Sequence, residues 1–110
     1  MKILEKKLNG DFVNYDMFVM IADVQLKDGA EDGFKSWFSE SNKALSSFPG
    51  FVSRKFLKST DGSYRIVVEH ESKDTFVKMH NSPEHEKVHP AGHAFMSGPP
   101  QRKTYTVAAE

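Results

Sequence analysis

Three of the chain's five histidines fall within nine residues, at His85, His89 and His93 of "SPEHEKVHPAGH" (82–93). His85-Glu86-Lys87-Val88-His89 has the form H-E-x-x-H, and Gly92 stands where an extended H-E-x-x-H-x-x-G would place it. In such a motif two imidazoles four residues apart share a helical face and meet one zinc ion, while the glutamate activates its water. The third histidine of the extended motif would fall on Phe95, and His93 is displaced from it by two. Ser82-Pro83 reads as N-cap and first helical position, and Pro90 is expected to end the helix at His89, after about two turns. No metal site is therefore assigned.

The same histidines can act as bases or ligands. His85 and His89 lie one turn apart on one face, and Glu86 points away from it. His89 is expected near the helix C-terminus, in reach of a groove between helix and sheet, where the helix dipole favours imidazolium. The alternatives are a His89 that only complements that dipole and a His85 half-buried under its helix. His80 and His93 are expected to be exposed. His70 alternates with Val68 and Ile66 in a strand and reads as a structural histidine of the same layer. Arg54 and Arg65, on hairpin strands, read as solvated charges, with capture of an acidic substrate as the alternative. Tyr64 and Tyr105 could serve as phenolic acids, although strand tyrosines commonly pack.

These groups need elements to hold them. "KILEKKLNGDFVNY" reads as a β-hairpin turning at Asn9-Gly10. "MFVMIADVQL" is a long strand with Phe18, Met20, Ala22 and Val24 on one side and Val19 and Ile21 on the other. Strands apolar on both faces are usually covered on both. Phe34, Trp37, Phe38, Leu45 and Phe48 recur at helical spacing over about residues 30–47, until Pro49-Gly50. "FVSRKFLKS" and "SYRIVVEHE" are strands joined at Asp61-Gly62; Ser72 caps a short helix carrying Phe76 and Met79; "RKTYTVAA" is the last strand.

Composition sets the class. One hundred and ten residues, 38% hydrophobic and 27% charged, suit a single globular domain. Fifteen basic residues balance fifteen acidic ones, which gives no electrostatic argument for nucleic acid or a membrane partner. No apolar run approaches the ~20 residues of a membrane span. The start "MKILEKKLNGDF" carries charge inside its apolar stretch, so no secretory signal is expected. With no cysteine there is no disulfide and no thiolate chemistry, and the expected compartment is the cytoplasm.

After residue 16 the order is β-α-β-β-α-β, an α+β, ferredoxin-like arrangement. Two helices cover one face of such a sheet, so Val19, Ile21 and Val67 need another partner. The economical one is a second copy, a homodimer with sheets face to face. The strand followed by "KDGAEDGFKSWF", the segment "SSFPGFVSRKFL" and the stretch "VVEHESKDTFVKMHNSPEHEKVH" together resemble the antibiotic biosynthesis monooxygenase family, over roughly residues 17–108. The resemblance implies a dimeric α+β barrel domain at 17–110, with residues 1–16 as a hairpin extension outside the usual core. It implies a cofactor-independent monooxygenase acting on a small planar phenol or quinol, with His89 or His85 as catalytic base. Phe18, Met20, Ala22, Phe34, Trp37, Phe38 and Met79 are the candidate substrate walls, though aromatics at helical spacing are most often core residues and one or two of them would line the pocket. The family's haem-degrading branch implies haem as an alternative cofactor, with His89 as axial ligand. That branch's strand asparagine and helix tryptophan correspond here to Ala22 and Met79, which can supply neither the hydrogen bond to bound oxygen nor the bulk of an indole. A third reading is a dimeric ligand-binding domain without chemistry.

Overall fold

The computed structural model describes residues 4–6, 12–14 and 17–110. Strands β1 (Leu4–Lys6) and β2 (Phe12–Asn14) pair antiparallel. The expected Asn9-Gly10 turn lies outside the described residues. The chain then runs β3 (Phe18–Val24), α1 (Glu31–Leu45), β4 (Phe51–Lys58), β5 (Tyr64–His70), α2 (Lys73–His80), α3 (Pro83–His93) and β6 (Gln101–Thr106). The last four strands form one antiparallel sheet in the order β4-β5-β3-β6. This is the ferredoxin-like α+β fold expected from the sequence.

Register explains the layering. Phe18, Ala22 and Val24 of β3 sit opposite His70, Ile66 and Tyr64 of β5 on one sheet face. Onto it α1 lowers Phe34, Phe38 and Leu45, and α2 lowers Phe76 and Met79. Phe34 is fully buried, its ring 4.8 Å from Phe56 and 5.1 Å from Trp37 between centroids. Phe18 packs 5.2 Å from Phe76. His70 belongs to this layer as expected: it is fully buried, its Nδ1 lies 3.0 Å from Thr75 Oγ1, and Phe51 and Phe76 meet its ring edge-on.

In β4, Phe51 faces His70, but the next paired residue is Ser53, opposite Glu69. The extra residue, Val52, forms a bulge and reverses the alternation, so that Phe51, Arg54 and Phe56 all face the helices. On the far face Val19, Ile21 and Val67 are half-buried, while Tyr105 and Leu57 are 42% and 45% exposed. Among the described residues no helix is long and apolar enough to cross a membrane.

The helix caps match expectation. Ser72 Oγ accepts the Thr75 N–H at 3.2 Å and Ser82 Oγ accepts that of His85 at 3.1 Å, with Pro83 opening α3. The expected end of α3 does not. The helix passes through Pro90 to His93. Pro90 withholds an N–H only from the Glu86 carbonyl, and both residues are exposed, where water can serve that oxygen.

Candidate active site

A cleft opens between sheet and helices, about 70 Å³ in volume and about 570 Å³ with its open mouth included. Its floor is apolar: Met20 and Ala22 from β3, Ile66 and Val68 from β5. Trp37 of α1 and Phe76 and Met79 of α2 form the walls. Trp37 is held by its indole N–H, which donates to the Val88 carbonyl at 2.9 Å, and by Gly92 of α3. A Cβ at Gly92 would lie 2.4 Å from Trp37 Cζ2 and Cη2. The glycine of the zinc-like motif is there to admit an indole.

Four histidines line one side of the cleft. Because α3 continues to His93, residues 85, 89 and 93 stand at successive i, i+4 positions, and His80 of α2 extends the row. Neighbouring ring centroids are 4.5 Å apart for His80–His85, 5.1 Å for His85–His89 and 4.2 Å for His89–His93. The rings follow one another along the row, tilted by 44°, 31° and 50° to their neighbours. Among the described residues no three His, Asp or Glu side chains are placed to hold a metal ion.

Burial, together with neighbouring positive charge, favours the neutral form at His80, His85 and His89. His85 is the deepest perturbed: burial, then the charges of His80, His89, Arg54 and Arg102, push its pKa down to about 4. His89, more exposed, is lowered by burial and by His93, His80 and Arg102. The dipole effect expected at His89 does not govern it, since His89 sits a full turn before the helix end. His80 is lowered by burial and Arg102. Arg102 Nη1 lies 3.2 Å from His80 Nε2; an arginine can only donate, so Nε2 is the unprotonated nitrogen. At neutral pH His85 is an imidazole able to accept a proton, and among the described residues its ring nitrogens have no hydrogen-bond partner.

Arg54 completes the cleft. Arg65 is the solvated strand charge that both arginines were expected to be, exposed and paired with Asp23 at 2.9 Å. Arg54 instead points inward. Its Nη1 donates to Asn42 Oδ1 at 2.6 Å and Ser41 Oγ at 2.7 Å, and lies 3.4 Å from the Phe38 carbonyl. The guanidinium sits 4.1 Å from the Phe38 ring centroid and 5.5 Å from that of Trp37. Burial lowers its pKa to about 10, which leaves it charged at neutral pH.

Of the residues singled out in the sequence, His85, His89, Met20, Ala22, Trp37 and Met79 come together around this cleft. Phe18, Phe34 and Phe38 do not; they are spent on the core beneath it. His80 and His93, expected outside, line it, as does Arg54, for which a solvated charge was the first reading and substrate capture the alternative; Arg102 carries no expectation from the sequence. The continuing four-residue spacing signalled His93, and the two-residue spacing from Phe56 signalled Arg54.

The sequence profile of the antibiotic biosynthesis monooxygenase family matches residues 17–91. The chain belongs to that family. Among solved structures it is similar to SnoaB, a cofactor-independent oxygenase from Streptomyces nogalater, with a TM-score of 0.77 and 21% identity over 86% of this chain and 96% of that one. It is also similar to a conserved protein from Methanosarcina mazei Go1 (TM-score 0.76, 10% identity, 83% and 92% covered). Rv0793 from Mycobacterium tuberculosis follows closely (0.75, 14%, 86% and 97%). No curated protein matches the sequence significantly. At these identities the likeness of the monooxygenase-family chain to solved structures concerns the fold.

Proposed function

We propose that this monooxygenase-family chain is a cofactor-independent oxygenase of a small planar phenol or quinol, with His85 as the base. The observation that carries the reading is a neutral imidazole projecting into an apolar, aromatic-walled cleft. His85 would take the phenol proton; the anion passes one electron to dioxygen, the radical pair combines at a ring carbon as a peroxide anion, and His85 returns its proton to make the hydroperoxide. Loss of water leaves a carbonyl, so one oxygen atom stays on the ring and the other departs as water. The floor of Met20, Ala22, Ile66 and Val68 excludes competing water, and Trp37 offers a face to the flat ring. His89, nearer the mouth, fits a role in substrate entry and orientation.

The test is oxygen uptake with a panel of naphthalene and anthracene quinols. Turnover should fall at least tenfold in His85→Ala and less in His89→Ala; no uptake with any quinol, or uptake indifferent to His85, would overturn the reading and leave a ligand-binding domain. The haem alternative has less behind it. His89 is flanked at 5.1 and 4.2 Å by the rings of His85 and His93, and the positions of the asparagine and tryptophan carry Ala22 and Met79, so the residues present suit haem poorly. The uncovered sheet face, with Val19, Ile21, Val67 and Tyr105, supports a homodimer through that face. Sedimentation should give a dimer mass, and Ile21→Lys a monomer.

A further inference from the structure

The cleft has an unbalanced charge. Among the described residues its lining contains two arginines and four histidines and no aspartate or glutamate. Arg54 is the deeper arginine, and its described partners are all neutral: an amide oxygen, a hydroxyl and a carbonyl. A half-buried guanidinium facing only neutral groups among the described residues is a cation without a counter-ion there.

Its setting is built. Asn42 grips it from both ends, accepting from Nη1 and donating its own Nδ2 N–H to the Arg54 carbonyl at 3.1 Å. Ser41, a buried serine, accepts from Nη1 while giving its own proton to the Phe38 carbonyl at 2.9 Å. The guanidinium's own donations all fall on Nη1. Nε and Nη2 donate to no described atom, and together they form the side-on edge of the guanidinium, whose two parallel N–H groups match the two oxygens of a carboxylate. Trp37 and Phe38 flank the same group, so an aromatic ring in the cleft would carry its anionic substituent to that edge.

We propose that the substrate is an aromatic carboxylate, bound through its carboxylate to the free edge of Arg54, with Arg102 at the mouth adding attraction. The inference rests on the oxygenase reading only for the identity of the ring as substrate; the carboxylate preference is a binding property and can be measured without turnover.

Trp37, the chain's single tryptophan, lies in the cleft and reports occupancy. The experiment titrates the intact protein at pH 7.5 with 6-hydroxy-2-naphthoate and with its amide, which has the same shape without the charge, by calorimetry and Trp37 quenching. The carboxylate should bind about tenfold or more tightly than the amide. That preference should vanish in Arg54→Gln, shrink in Arg54→Lys, which keeps a charge without the fork, and persist in Arg65→Gln. Equal affinities in the unmodified protein, no saturable binding of the carboxylate, or an undiminished preference in Arg54→Gln would overturn the proposal. If Arg54→Gln does not fold, the wild-type pair together with Arg54→Lys decides: an undiminished preference in the lysine variant refutes the fork. Oxygen uptake on neutral quinols alongside equal binding would refute this inference and leave the oxygenase reading standing; carboxylate preference without oxygen uptake would do the reverse.

Discussion

Replacing Gly92 with alanine sets two effects of known size against each other. In a helix interior alanine is better than glycine by roughly 0.5–1 kcal/mol, so propensity alone predicts a more stable protein. The new methyl, however, would stand 2.4 Å from two carbons of Trp37, far inside contact distance. The indole cannot simply retreat, because its N–H is bonded to the Val88 carbonyl one turn earlier on the same helix. Either the helix moves, with an overpacking cost of about 1–3 kcal/mol, or Trp37 moves and leaves a part-buried N–H unpaired at about 1–3 kcal/mol. Both exceed the propensity gain, and the net expectation is a loss of about 1–2 kcal/mol. Urea unfolding followed through Trp37 should show a lower midpoint with unchanged slope, together with a shifted native emission maximum. A Gly92→Ala protein as stable as its parent, with unaltered emission, would refute the assignment of this glycine to indole packing.

Other consequences follow from charge and core. The pKa of His85 falls on folding from 6.5 to about 4, so the unfolded chain takes up a proton that the native state refuses. Stability contributed by neutral His85 is therefore whole above pH 6.5 and drains away down to about pH 4, a loss of about 2 kcal/mol once partial exposure is discounted. Denaturant titrations between pH 7.5 and 4 should show this slope, and a smaller one in His85→Leu. Glu31, at the start of α1, accepts from Tyr64, Lys58 and Lys35 at 2.5, 2.8 and 3.1 Å, and these bonds hold its carboxyl down to about 2. Its contribution is present above pH 4.5 and disappears as pH falls toward 2; Glu31→Gln should lower the melting temperature at pH 7 and flatten the acid limb. Phe34→Ala, emptying the centre of the core, should cost about 3–5 kcal/mol in chemical unfolding.

The fold was legible because its determinants are periodic. Phe34, Phe38 and Leu45 mark the buried stripe of α1, Ser72 and Ser82 announce helix starts, and the two faces of β3 separate by simple alternation. The site was less so, for two physical reasons. Pro90 signals a helix end through local backbone preference, yet an exposed proline forfeits one hydrogen bond, and eleven residues of helix absorb the loss. That signal therefore leaves His93 out of the row of histidines. Likewise Phe51 and Phe56 are both inward residues, although five apart, which strict alternation forbids. That parity conflict is the trace of the bulge in the sequence, and resolving it places Arg54 inside. The division of aromatics between core and cleft, with Phe18, Phe34 and Phe38 below and Trp37 above, depends on tertiary packing that no spacing encodes.

The irregularity at Val52 reaches beyond geometry. A strand that alternated regularly through Val52, without the bulge, would swing the following side chains to opposite sides, pointing Lys55 and Leu57 at the helices and turning the guanidinium out to water. The polarity of the binding chamber thus hangs on a single backbone irregularity, so a chain that ran straight through it would lose its taste for anions with every functional side chain intact.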